Sequence, residues 1–106
     1  MTKRKVVVTG AAGYVAGRML SELRQRYDLT LLDIKTTSRD GEVIEGIHVT
    51  DLLHRDRDTY RSYFQGADAV VHCGFTRAER PEDRYWAEAD NVNMAHNVYQ
   101  TCVEED

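Results

Sequence analysis

No stretch of this sequence stays apolar for anything near the roughly 20 residues that a membrane-crossing helix requires, and runs such as Val6-Val7-Val8 and Ala69-Val70-Val71 are short. Positive charge is in deficit: the formal net charge is -4. That excludes the basic surface needed for nucleic acid or an anionic membrane. Lysine is scarce, with only Lys3, Lys5 and Lys35, so no tyrosine carries a lysine four places on; Tyr14 has Arg18 there. The two cysteines, Cys73 and Cys102, form no Cys-x-x-Cys pair. They read as reduced thiols of a cytoplasmic protein, not as a disulfide framework. His72 lacks a His, Cys or acidic partner at ligand spacing, so no metal site is expected. Cys73 lacks a paired base, so it is not expected to act as a nucleophile. Lys3, Arg4 and Lys5 lead straight into a strand, without the apolar region and cleavage site of a secretory signal. Repeats, low-complexity tracts and dividing linkers are missing too, so 106 residues make one domain.

What is present begins at once. Lys5–Thr9 is a strand whose Val6-Val7-Val8 makes a β-branched, wholly apolar run of the kind buried on both faces of a parallel sheet. Gly10 and Gly13 follow, and then a helix over 14–26 with Val15, Met19, Leu20, Leu23 and Tyr27 on its inner face. Strand, glycine turn, helix is the order in which such glycines acquire meaning. Gly10 permits the tight turn, Gly13 lets the backbone approach a pyrophosphate, and the helix start offers unpaired N–H groups to it. Ala16 is small enough for the helix to lie close on the strand. No Gly-Lys-Ser/Thr follows the turn, which excludes a P-loop.

The pattern continues in alternation. A second buried strand covers 29–33, a polar loop 36–42 and a weaker strand 43–50 disturbed by Gly46. Tyr60, Tyr63 and Phe64 stand at helical spacing as core, after a solvated charged start at 55–58, and Gly66 ends that helix. A fourth buried strand covers 69–73, a polar loop holding Pro81 covers 75–84, and a last helix covers 85–105. Its inner side is read as Val92, Ala95, Val98, Tyr99 and Cys102. Alternating strands and helices imply a parallel α/β sheet with helices on both faces.

Asp33 closes the second strand about 20 residues past the glycine turn, where a carboxylate accepts hydrogen bonds from an adenosine ribose. A solvated strand-end aspartate is the competing reading. A 2′-phosphate beside Asp33 would cost on the order of 4 kcal/mol per unit-charge pair at about 4 Å and an effective dielectric near 20. Lys35 and Arg39 offset only part of that, so NAD is favoured over NADP. Asp51 after the third strand reads, by itself, as a helix N-cap.

The segment Thr9-Gly10-Ala11-Ala12-Gly13-Tyr14-Val15-Ala16 resembles the extended short-chain dehydrogenase/reductases, the NAD-dependent epimerase/dehydratase family. There the pattern is Thr-Gly-x-x-Gly-(Phe/Tyr)-(Ile/Val)-Gly; Ala16 stands where glycine is usual, and Gly17 one place late. The resemblance implies a Rossmann-type fold and a cofactor site drawn from Gly10, Ala12, Gly13, Tyr14, Val15, Asp33 and Ile34. It adds Asp51 on the adenine amine and Leu52 over the ring. Cys73, Gly74 and Phe75 stand at the fourth strand's end, where the family is often His-Leu-Ala-Ala and where Phe75 is bulkier than usual. Asn91 falls on the family asparagine near the nicotinamide ribose, with Met94-Ala95 replacing Gly-Thr. Within the family, His72-Cys73-Gly74-Phe75 and the Asn91–Tyr99 helix look most like uronate dehydrogenase-type members.

The substrate so implied is a sugar or nucleotide sugar, handled by hydride transfer. The family's catalytic Ser/Thr and Tyr-x-x-x-Lys, whose lysine lowers the tyrosine pKa, are not among these 106 residues. The expectation is an amino-terminal, cofactor-binding part that is inactive alone, with a non-catalytic NAD-binding module as the alternative. An unpaired fourth-strand edge would invite a homo-oligomer.

Overall fold

The computed structural model describes residues 3–105, so Met1, Thr2 and Asp106 of the expected 1–106 domain lie outside the described residues. Four strands, β1 (Lys5–Thr9), β2 (Asp28–Asp33), β3 (Ile47–Val49) and β4 (Ala69–His72), form one sheet in the order β3-β2-β1-β4. Every pairing is parallel; Val7 stands opposite Thr30 on one side and Val70 on the other. The chain thus winds outward from β1 to β2 and β3, then returns to β1's other flank with β4. That reversal opens a crevice beyond the carboxyl ends of β1 and β4, the place where such sheets take ligands.

Alternation along β1 divides the core between the sheet's two faces. Val6 and Val8 pack with Ala11, Ala16, Leu20 and Leu31. Val7 packs with Leu32, Leu52, Tyr60, Phe64 and Val98. Val7, Val8 and Leu32 are fully buried, each contributing about 1.5–3 kcal/mol over an exposed side chain. This is the doubly covered Rossmann-type arrangement the apolar strands implied.

Four local expectations need correction. The helix over 14–26 is broken into α1 (Tyr14–Gly17) and α2 (Leu20–Arg26). At the junction Met19 N–H reaches Ala16 O at 2.9 Å, a tightened i−3 bond, where Gly17 weakens the helix. The buried stripe is Ala16 and Leu20, and Val15 is 60% exposed, because the close approach falls at the smallest side chain.

The third strand shrinks to Ile47–Val49. Gly46 takes φ +87°, which no strand continues through. Val43 instead bridges Thr37 across a turn at Gly41 (φ +84°). The helix expected before Gly66 is two 3₁₀ turns, Arg57–Thr59 and Arg61–Phe64, yet Tyr60 and Phe64 still fill the core and Tyr63 stacks on His48.

The last helix, α3 (Arg84–Glu104), turns Val98 and Thr101 inward with Met94 and Cys102 partly buried, and leaves Val92 and Tyr99 exposed. Buried Thr101 is satisfied by donating to Asn97 O at 2.7 Å, while Asn97 Nδ2 donates to Leu52 O at 2.8 Å. The end of α3 is clamped by Arg57 and Arg61 on Glu104, at 2.6 and 2.7 Å. None of the described helices is long and apolar enough to cross a membrane.

Candidate functional site

The turn after β1 is fixed from both neighbours. Ala11 N–H donates to Leu32 O of β2 at 3.2 Å, and Gly13 N–H closes the turn on Gly10 O at 2.9 Å. Gly10 has φ +65°, and a Cβ there would lie 2.5 Å from Cys73 O at the end of β4. Glycine is therefore required twice over, by conformation and by the approach of the next strand. Gly13 differs: its φ is -80° and an added Cβ would meet only Gly10 O, at 3.1 Å. It is exposed, so the space above it is open.

The first bond of α1 is Gly17 N–H to Gly13 O, so the N–H groups of Tyr14, Val15 and Ala16 precede any intrahelical acceptor. With only four residues in α1, attraction for an anion rests on these local donors and not on a long dipole. Tyr14 and Val15 are exposed beside them, and Arg18 lies over the Tyr14 ring, 5.4 Å from its centroid.

Asp33 turns toward this loop. Its Oδ2 accepts from Ala12 N–H at 2.9 Å, while Oδ1 accepts from Ile34 N–H at 2.6 Å and Lys35 N–H at 3.1 Å. A carboxylate has about four acceptor positions, which leaves one on Oδ2, on the oxygen nearest the turn. The Ile34 side chain is exposed.

Asp51 Oδ1 accepts from Leu53 N–H at 2.9 Å, capping a turn where no helix follows. Leu52 is 5% exposed within the second core cluster, so its side chain is committed to packing. Asn91 grips the loop after β4 from both sides, accepting from Thr76 N–H at 2.7 Å and donating to Thr76 O at 2.9 Å. Phe75 projects outward, 69% exposed. Burial raises the Cys73 thiol above its ordinary value, which disfavours the thiolate.

One element escaped the sequence reading. The buried Thr9 hydroxyl accepts from Cys73 N–H at 3.0 Å and Gly74 N–H at 3.1 Å, and lies 2.6 Å from His72 Nδ1. Cys73 N–H is shared with the backbone Thr9 O at 3.1 Å. With two N–H groups aimed at the hydroxyl oxygen, its own hydrogen is best directed at Nδ1, an arrangement that leaves the imidazole proton on Nε2. Burial holds His72 below its usual titration range, in keeping with a neutral ring. The signal was available in the pairing register, which sets Thr9 opposite His72.

Gly10, Ala12, Gly13, Asp33, Cys73 and Gly74 thus converge on the β1–β4 crevice. A model of the NAD dependent epimerase/dehydratase family matches residues 6–106. Among solved structures, a short-chain dehydrogenase/reductase superfamily protein from Agrobacterium tumefaciens with bound NAD is 25% identical with a TM-score of 0.72, covering 93% of this chain and 29% of that one. Uronate dehydrogenase from the same organism is 25% identical, TM-score 0.71, covering 99% and 38%. A UDP-N-acetylglucosamine 4-epimerase from Methanobrevibacter ruminantium, at 18% identity and TM-score 0.75, covers 99% and 36% and shares the fold. The chain therefore spans between 29% and 38% of the length of these structures.

Proposed function

The chain belongs to the NAD-dependent epimerase/dehydratase family, and from that premise we propose that it is the NAD-binding portion of an enzyme that oxidises or rearranges a sugar or nucleotide sugar. The single observation that carries the cofactor reading is the Asp33 carboxylate folded against Ala12 N–H, with one acceptor position left facing the glycine turn. A ribose hydroxyl fits that position; a 2′-phosphate meets like charge there, which favours NAD over NADP.

The crevice suits the cofactor in shape as well. Exposed Gly13 puts no side chain in the way of a diphosphate, and the N–H groups of Tyr14 and Val15 are available to its oxygens. Gly10 holds the turn against β4, and Gly74 keeps the strand end narrow; a Cβ there would meet Met94 Sδ at 2.8 Å. Asn91 keeps the following loop in place through Thr76. NAD, when bound, supplies a hydride acceptor. The residues of this chain hold and orient it, and none of them is assigned to proton transfer with substrate.

Calorimetric titration of the folded 106-residue chain with NAD, ADP-ribose and NADP tests the cofactor reading. NAD and ADP-ribose should bind, with NADP at least about tenfold weaker, the loss corresponding to 1.4 kcal/mol. Absence of binding by NAD to a chain whose circular dichroism shows it folded would overturn the assignment. A non-catalytic NAD-binding module is a second reading, favoured by the lack of any Tyr-x-x-x-Lys in these residues. NADH formation from uronates or UDP-sugars by the full-length form separates the two.

A further inference from the structure

We propose that Thr9 and His72 act together as positioning residues, a proton-sensitive clasp that holds the glycine turn against the end of β4 when the imidazole is neutral and lets go when it is protonated. The inference rests on the reading of that crevice as a dinucleotide site, but its geometry is independent of any ligand. Thr9 is the last residue of β1 and Gly10 the first of the turn. Thr9 ties this corner to Cys73 N–H through both its hydroxyl and its backbone oxygen, and to Gly74 N–H through the hydroxyl alone. Gly10 lies against the same strand end, with Cys73 O where its Cβ would be. Movement of the β4 exit is therefore transmitted to the turn by direct contact.

The clasp depends on the direction of one hydrogen. With Nδ1 unprotonated, the Thr9 O–H donates to it at 2.6 Å and both lone pairs remain for the backbone. A proton on Nδ1 faces the hydroxyl hydrogen. Thr9 then has to turn to accept from the imidazolium, and the bond it gives up is that to Gly74 N–H, since Cys73 N–H keeps the backbone Thr9 O. The groups facing the ring are Thr9 from β1 and Tyr99 edge-on from α3 with centroids 6.2 Å apart, while Cys73, next in the chain, packs on the sheet's other face. Among the described residues no charged side chain is a cause of its shift; burial lowers it. The neutral ring is thus the ground state near neutrality, and acid is the signal.

Two measurements on the 106-residue chain test this. In the ligand-free protein, long-range ¹H–¹⁵N spectra of the imidazoles should show His72 as the Nε2–H tautomer. Thr9→Ser should preserve that signature and Thr9→Val should lose it. An Nδ1–H tautomer in the wild type, or an unchanged spectrum in Thr9→Val, would overturn the clasp whether or not NAD binds. If Thr9→Val fails to fold, the wild-type and Thr9→Ser spectra decide the matter.

The second measurement is NAD affinity from about pH 8 down through the His72 midpoint, which the same imidazole spectra locate; a wild-type affinity that stays flat through that midpoint would overturn the proposal. Below the His72 midpoint the wild type should lose up to about tenfold per pH unit. His72→Asn keeps an acceptor at the δ position without a titrating proton, so its affinity should be flat with pH, whatever its absolute level. The same acid slope in His72→Asn would overturn the proposal. Failure of NAD to bind at every pH would sink the cofactor reading alone and leave the tautomer result standing.

Discussion

Replacing Gly10 by alanine tests the physical core of the site, because two independent costs fall on one methyl group. The first is conformational: at φ +65° an L-residue pays about 1–2 kcal/mol. The second is steric, since the new Cβ would sit 2.5 Å from Cys73 O and 2.6 Å from Gly74 N. Those are backbone atoms, which cannot swing aside as a flexible side chain does. Relief requires shifting the end of β4, with overpacking typically costing about 1–3 kcal/mol. A combined loss near 3 kcal/mol corresponds to a fall in melting temperature of roughly 12–24 °C for a domain of this size.

Gly17→Ala is the matched control. Nothing lies within 4 Å of an added Cβ there, and the residue ends α1, so alanine should stabilise by up to about 1 kcal/mol. Urea and thermal unfolding followed by circular dichroism read both variants. A Gly10→Ala protein within roughly 0.5 kcal/mol of wild type, the range of an ordinary surface substitution, would refute the reasoning. So would equal losses from the two substitutions.

Other perturbations probe separate parts of the chain. Asp33→Asn removes the charge while sparing one acceptor, so the preference for NAD over NADP should narrow by about tenfold or more, measured as the ratio of dissociation constants. Tyr60 Oη is buried and meets no well-formed hydrogen bond, with the Thr101 hydroxyl beside it already donating to Asn97 O, so Tyr60→Phe should be neutral or stabilising by up to about 1 kcal/mol; a clear loss in urea unfolding would mean that Tyr60 donates to Thr101 and refute this. Glu104 is pulled from 4.5 to about 2 by Gln100, Arg61 and Arg57. A carboxylate lowered on folding adds stability above its ordinary value and loses it as pH falls toward the folded value. Glu104→Gln should therefore flatten the acid limb between about pH 4.5 and 2, read by thermal unfolding across that range.

What was legible in the sequence follows a physical division. The strands β1 and β2 could be read because burial on both faces demands continuous apolar runs, and Val6-Val7-Val8 or Leu31-Leu32 satisfy that without reference to distant residues; β4 carries a similar apolar run but, at the sheet's edge, is only partly buried and not the buried strand expected. The glycine turn and Asp33 could be read because turn chemistry is local. Helix phase was harder. The periodicity of 14–26 placed Leu20, Leu23 and Tyr27 against the core and the small size of Ala16 marked the close approach, but Val15, also expected inside, is exposed. In α3 the pattern favoured Val92 and Tyr99, whereas a polar Thr101 is fully buried. Its hydroxyl is satisfied within the helix, so burial carries little penalty. No hydrophobicity pattern announces that.

The Thr9–His72 pair belongs to a third category, legible only once the register of β1 against β4 is known. Each residue alone has an ordinary reading, Thr9 as the last position of a strand and His72 as a half-buried ring beside a glycine. Pairing sets them opposite one another, and the two N–H groups that follow His72 then converge on the Thr9 hydroxyl. Because that oxygen also lies beside the glycine turn, the forces holding the sheet together and those shaping the crevice pass through the same few atoms. A substitution here should move stability and cofactor affinity together, whereas Asp33→Asn should change cofactor preference by more than its effect on unfolding would account for. That contrast separates the residues that shape the crevice from the one that selects what enters it.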